Sequence, residues 1–150
     1  MRKHEFYMQE ALREAKKASD MDEVPVGAVI VHNGSIIARA HNQIKLLKDP
    51  TAHAEMIAIT QAANHLQNER LIGASIYVTI EPCSMCAGAM VLARIKELFY
   101  AADDPKAGAC GSVVDIANNK KLNHRVKVKK GVLAEESSAL MKEFFRKKRK

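Results

Sequence analysis

Three soft donors held in two short segments constrain this chain most: His53 in His53-Ala54-Glu55, and Cys83 and Cys86 in Pro82-Cys83-Ser84-Met85-Cys86. Imidazole nitrogen and cysteine sulfur are ligands that zinc prefers. Three protein ligands leave a fourth position for water, which is the arrangement of a catalytic site, whereas structural sites close with four. The chain must therefore bring residue 53 and residues 83–86 to one point. The intervening stretch has room for one helix and one returning strand. Glu55 adds a carboxylate able to move protons beside a metal that acidifies water, the ingredients of a hydrolytic centre. An offset of two residues puts side chains on nearly opposite faces of a helix. Glu55 is accordingly assigned to proton transfer and left out of the coordination shell. Taken alone, the C-x-x-C also reads as a redox pair, and a lone His-x-Glu carries little. The combination, each part at a predicted helix start, is what points to a metal. Cys110 is left over and reads as a small buried hydrophobe.

Periodicity supplies the scaffold. Met8, Ala11, Leu12, Ala15 and Ala18 recur at helical spacing and predict a helix over about 4–18. Val26–His32 and Ser35–Ala40 read as strands joined at Asn33-Gly34, a strong hairpin signal. A polar loop from His41 to Thr51 precedes a helix that starts with Thr51 as its N-cap and carries Ala54, Ile57, Ala58, Ala62 and Leu66. Ala74–Ile80 and Glu97–Ala102 read as further strands, with a helix over about 84–94 between them. Val113–Ala117 reads as a short helical turn, His124–Val132 as a lysine-rich edge strand, and Glu135–Arg146 as a last helix that frays into Lys147-Lys148-Arg149-Lys150. Strands separated by helices imply an α/β fold, a three-layer α/β/α sandwich, with residues 1–150 as one domain.

Charge is unevenly spread. Residues 120–150 hold twelve Lys/Arg against three Asp/Glu, and residues 1–119 hold twelve against fourteen. A basic C-terminal fifth suggests a polyanion such as nucleic acid; a solubilising tail is the plainer alternative. There is no run of eighteen apolar residues and no apolar leader after Met1-Arg2-Lys3-His4-Glu5, so a cytoplasmic chain without a membrane span is expected.

H-x-E…P-C-x-x-C is the signature of zinc nucleobase deaminases. Beyond it, Glu23-Val24-Pro25-Val26-Gly27, Ala40-His41-Asn42, Asp49-Pro50-Thr51, Asp103-Asp104-Pro105-Lys106 and Phe144-Phe145-Arg146 extend a resemblance over nearly the whole chain. The chain resembles the bacterial tRNA-specific adenosine deaminases, with Ala101 standing where that family often has glycine. The resemblance implies a cytidine deaminase-like fold with a five-stranded mixed sheet, a homodimer, and one zinc ion per subunit on His53, Cys83 and Cys86. It implies hydrolysis of the wobble adenosine of a tRNA anticodon stem-loop to inosine, with Glu55 as proton carrier. Asn42 matches the residue that hydrogen-bonds the adenine, although an asparagine there also suits a turn. Asp103, Asp104 and Lys106 match a loop near the flanking nucleotides, and equally suit a solvated Asp-Pro turn. Phe144, Phe145, Arg146 and Arg149 match a C-terminal helix near the RNA loop, with at least one of the two phenylalanines expected in the core. Val26 suits either a pocket wall or plain sheet burial. The competing reading is a deaminase of a free base or nucleotide (guanine, cytosine or deoxycytidylate), which has no use for a basic tail. A zinc-stabilised RNA-binding module without chemistry would have no use for Glu55.

Overall fold

The computed structural model describes residues 2–149; Met1 and Lys150, the last residue of the expected basic tail, lie outside the described residues. In chain order the elements are α1 (Arg2–Asp20), β1 (Gly27–His32), β2 (Ser35–His41), α2 (Ile44–Leu47), α3 (Ala54–Leu66), β3 (Ser75–Ile80), α4 (Ser84–Leu92), β4 (Glu97–Ala102), β5 (Lys127–Lys130) and α5 (Ala134–Lys148). Asn33 and Gly34 both take positive φ, 50° and 77°, as the tight turn between twisted strands requires.

The five strands form one mixed sheet in the order β2-β1-β3-β4-β5. β1 runs antiparallel to both β2 and β3, whereas β3, β4 and β5 are mutually parallel. Alternation along the strands feeds two cores. Ala28, Ile30, Ile76, Val78, Leu98 and Tyr100 meet Ala54, Ala58 and Ala62 of α3 and Met90 of α4 on one face. Val29, Val31, Tyr77 and Phe99 meet Met8 and Ala11 of α1, with Leu133 at the start of α5, on the other. The result is the three-layer α/β/α sandwich. Small residues on α3 let it lie close to the sheet. At Gly27 the approach is closer still: a Cβ there would stand 2.0 Å from the Ala11 carbonyl oxygen of α1.

Four expectations are revised. The 41–51 segment contains the one-turn helix α2, because the buried carboxylate of Glu23 accepts hydrogen bonds from Lys45 N and Leu46 N. Thr51 does not cap α3; its amide and hydroxyl both donate to Asp49 Oδ1, and His53 occupies the cap position. Val113–Ala117 is bend and turn, tied by an isolated bridge between Cys110 and Asp115. The edge strand shrinks to Lys127–Lys130, since His124 instead turns inward to hydrogen-bond the Ile95 carbonyl.

Candidate metal centre and active site

Two helices begin at the same point above the carboxyl end of β3. His53 is the N-cap residue of α3 (φ −72°, ψ 151°) and Cys83 that of α4 (φ −76°, ψ 177°). Neither side chain caps its own helix, and both turn toward one another. His53 Nδ1 lies 3.7 Å from Cys83 Sγ and 3.5 Å from Cys86 Sγ. The three ligand atoms all fall within 4.8 Å of one another, a group able to hold a metal ion. The Pro50 backbone also favours the protonated imidazole, to a lesser degree than its other neighbours. Hydrogen bonds from Cys86 and His53 pull the Cys83 thiol down to about 3. The hydrogen bond with Cys83 raises His53, and Cys86's own hydrogen bond with Cys83, together with burial, pushes the Cys86 thiol up. A thiolate is the form of cysteine that binds cations.

What should cap α3 is supplied from twelve residues upstream: Asn42 Oδ1 accepts from Ala54 N at 2.8 Å. Asn42 is thereby buried at the end of β2 with its amide orientation fixed. Glu55 follows in the first turn of α3, only 3% exposed. Burial pushes its carboxyl up to about 7, against the pull of its own backbone amide and of His53. A carboxyl poised there suits acid–base work at neutral pH. Its Oε1 is buried with no hydrogen-bond partner among the described residues. Buried oxygens without partners are uncommon and call for a ligand, ion or water.

A cavity of about 240 Å³ opens onto these groups, below the roughly 300–1,000 Å³ of sites that take drug-sized ligands. His53, Glu55 and Cys83 line it, together with Val26, Asn42 and Asp104. Asp103, Lys106, Phe145 and Arg149 are not part of that lining. Asp103 Oδ1 instead accepts from the Tyr100 hydroxyl at 3.0 Å and faces Lys130 Nζ at 3.5 Å. Lys106 is exposed and folds its amide back onto Asp104 Oδ1. Of the two phenylalanines, Phe144 is core and Phe145 is exposed, the rings meeting edge to face. Arg149 sits exposed beyond the end of α5. Cys110 is half-buried, and burial pushes its thiol up.

The remaining walls had not been singled out from sequence: Val24, Ile44, Ile80, Glu81, Ala107 and Met141. Ile44 was hidden in a segment read as loop. Met141 was recoverable, since it shares the inner face of α5 with buried Ser137 and Phe144 at helical spacing. Glu81 directly follows β3. Burial alone would raise its carboxyl, but hydrogen bonds from Ser112, Asp104 and Cys110 outweigh it and hold the group below the usual carboxylate range.

The profile of the MafB19-like deaminases matches residues 2–149. The chain is 48% identical over 150 residues to the tRNA-specific adenosine deaminase of Bacillus subtilis (strain 168), covering 100% of this chain and 93% of that one. It is 51% identical over 145 residues to the protein of the same name from Aquifex aeolicus (strain VF5), covering 97% and 95%. Its fold superposes with a TM-score of 0.87 and 46% identity, over 90% of this chain and 98% of the other, on a solved structure from work on A-to-I editing by tRNA:A34 deaminases at the wobble position of transfer RNA. The chain belongs to the MafB19-like deaminase family, and within it to the tRNA-specific adenosine deaminases.

Proposed function

We propose that this protein hydrolyses the wobble adenosine of a tRNA anticodon stem-loop to inosine, with release of ammonia, using zinc held by His53, Cys83 and Cys86. The observation that carries the reading is Glu55, a buried carboxylate with one unpartnered oxygen, beside a three-donor metal group at a base-sized cavity. The donor set fits zinc. Bond lengths of about 2.0–2.1 Å to nitrogen and about 2.3 Å to sulfur put tetrahedral N and S ligands roughly 3.5 Å apart. The His53 to cysteine separations of 3.5 and 3.7 Å agree with that.

Zinc in this group supplies a Lewis acid that brings the pKa of a bound water near neutrality. The chain's own residues do the rest. Glu55 takes the water proton on its free oxygen, delivers it to the ring nitrogen next to C6, and assists departure of the exocyclic amine. Asn42, whose Oδ1 is committed to Ala54 N, offers its amide N–H groups to the purine edge. Val26 forms an apolar wall against the ring. Asp103, Asp104 and Lys106 bear on the flanking nucleotides. Phe145 offers an exposed face for stacking, and Arg149 a cation for phosphate.

The protein acts as a homodimer with one zinc per subunit, and the largely exposed Leu92 on α4 supports an apolar contact surface. tRNA as substrate implies the cytoplasm. Among the described residues no helix is long and apolar enough to cross a membrane.

The deciding assay offers the zinc-loaded protein an anticodon stem-loop with a wobble adenosine, beside free adenosine, guanine and cytidine. Inosine in the stem-loop alone is expected; turnover of guanine alone would overturn the reading. Glu55→Ala is expected to retain zinc and stem-loop affinity and to lose inosine formation by at least about a hundredfold, the low end of what a general acid–base group contributes.

A further inference from the structure

Glu81 is a buried carboxylate that no cation accompanies. It is 2% exposed, and no Lys, Arg or His side chain pairs with it among the described residues. Its partners all come from one loop. Oε1 accepts from Asp104 N at 3.0 Å and from the Ser112 hydroxyl; Oε2 accepts from Cys110 N at 3.0 Å and Ser112 N at 3.1 Å. The loop wraps so tightly that a Cβ on Gly108 would stand 2.3 Å from the carboxylate carbon. Next along the chain, Pro82 O accepts from Ala109 N at 2.8 Å, and Glu81 N itself donates to Ala102 O at 2.9 Å. The same loop sends Asp104 and Ala107 into the cavity wall.

The arrangement separates two buried acids by what their oxygens do. Glu55 keeps one oxygen without a partner and faces the ligand trio. Both oxygens of Glu81 are taken up by loop donors, which leaves none to exchange protons with a substrate. Four donors converging on two oxygens suit an acid in that place and not its amide, because a carboxamide has one accepting oxygen and one donating nitrogen.

Resting on the deaminase reading above, we propose that Glu81 is a positioning residue for substrate recognition. It moulds the 104–112 loop into a wall of the base cavity, and so governs KM for the RNA without entering the chemistry. Glu81→Gln would retain the shape of the side chain and spoil the fit. With the nitrogen at the Oε1 position the Ser112 hydroxyl turns to accept, and the amide of Asp104 is left without an acceptor. With the nitrogen at the Oε2 position two amides lose theirs.

The test compares wild type, Glu81→Gln and Ser112→Ala, all full length and zinc-loaded. In Glu81→Gln, KM for the anticodon stem-loop should rise about tenfold or more, the scale of a buried hydrogen-bonding group left unmet, while kcat stays within about threefold. Zinc should remain at one per chain. By hydrogen exchange, the amides of Asp104, Cys110 and Ser112 should lose protection and those of α4 should not. Ser112→Ala removes a donor and strands no amide, so it should move KM the same way by a smaller factor; it decides the matter alone if Glu81→Gln does not fold. Zinc loss in Glu81→Gln would overturn the proposal by making Glu81 a support for Cys83. A fall in kcat at unchanged KM, or unaltered KM and exchange in both variants, would also overturn it. If wild type fails to convert the stem-loop, the functional reading falls, whereas exchange at the three amides still judges whether Glu81 holds the loop.

Discussion

On the function proposed above, Asn42 divides one amide between structure and recognition. Its oxygen caps α3 and its nitrogen remains for the cavity that it lines. Two substitutions separate the roles. Asn42→Ala loses both, and should cost about 0.5–2 kcal/mol of stability, the range for losing a helix N-terminal cap. Asn42→Asp retains an acceptor at a helix N-terminus, where negative charge is favourable, but replaces the donor with a second acceptor. Urea midpoints should therefore fall clearly for Asn42→Ala and little for Asn42→Asp, while stem-loop turnover falls in both. Equal destabilisation of the two would mean that the oxygen is not the cap. At this scale the meeting of His53, Cys83 and Cys86, with Glu55 beside them, was legible, because their residue types and spacing point to one site. The cap was not. Thr51 obeys the local rule, yet Asp49 is two residues away and takes its hydrogen bonds. Asn42 reaches Ala54 only because the end of β2 meets the start of α3, a contact no local pattern encodes.

Elements were legible where burial is one-sided or complete: α1, the hairpin, β3, β4 and α5 all occur where periodicity predicts them. α2 escaped because one helical turn has no period to display and is held by Glu23 from a distant loop. β5 is shorter than its alternating pattern predicts, as His124 is drawn to Ile95. The placement of α1 makes a testable claim about pH. His4 stacks on Phe99 with ring centroids 4.3 Å apart, and its Nδ1 accepts from the Tyr77 hydroxyl at 2.6 Å. Burial of Tyr77 raises its phenol, so the hydroxyl keeps its proton. His4 is lowered, first by burial and then by Lys3 and Lys129, with Glu97 opposing. A histidine with a lower pKa when folded binds its proton first in the unfolded chain. Its contribution is complete above the unfolded value of about 6.5 and drains away as pH falls toward and below the folded one. Between about pH 7.5 and about pH 5.5, wild type should lose stability that His4→Phe does not. Parallel urea midpoints for the two proteins at both pH values would refute the role of His4.

Over the whole molecule the question is how much of the C-terminal positive charge an RNA can use. Net charge overstates it, because several cations already have partners. Lys148 pairs with Asp22, Arg146 lies 2.7 Å from Glu143, and Lys130 lies 3.5 Å from Asp103. Such surface pairs contribute little to stability, but they lower the field an incoming phosphate meets. Arg149 has no ion-pair partner among the described residues, so it should carry more of the salt dependence than its neighbours. In a Glu55→Ala background, where the stem-loop is expected to bind without turning over, log Kd against log salt gives a slope that counts displaced counterions. Arg149→Ala should reduce that slope by about 0.7–0.9, the share of one phosphate contact. Arg146→Ala and Lys148→Ala should reduce it by less. Deleting the segment from Phe144 onward would not isolate the effect, because Phe144 belongs to the packed interior and its loss unsettles α5. Cuts after Phe144, or the point substitutions, leave the helix seated. Slopes indistinguishable among the three variants and wild type would make the basic segment a solubilising tail, and recognition would then rest on the cavity and its surrounding loops.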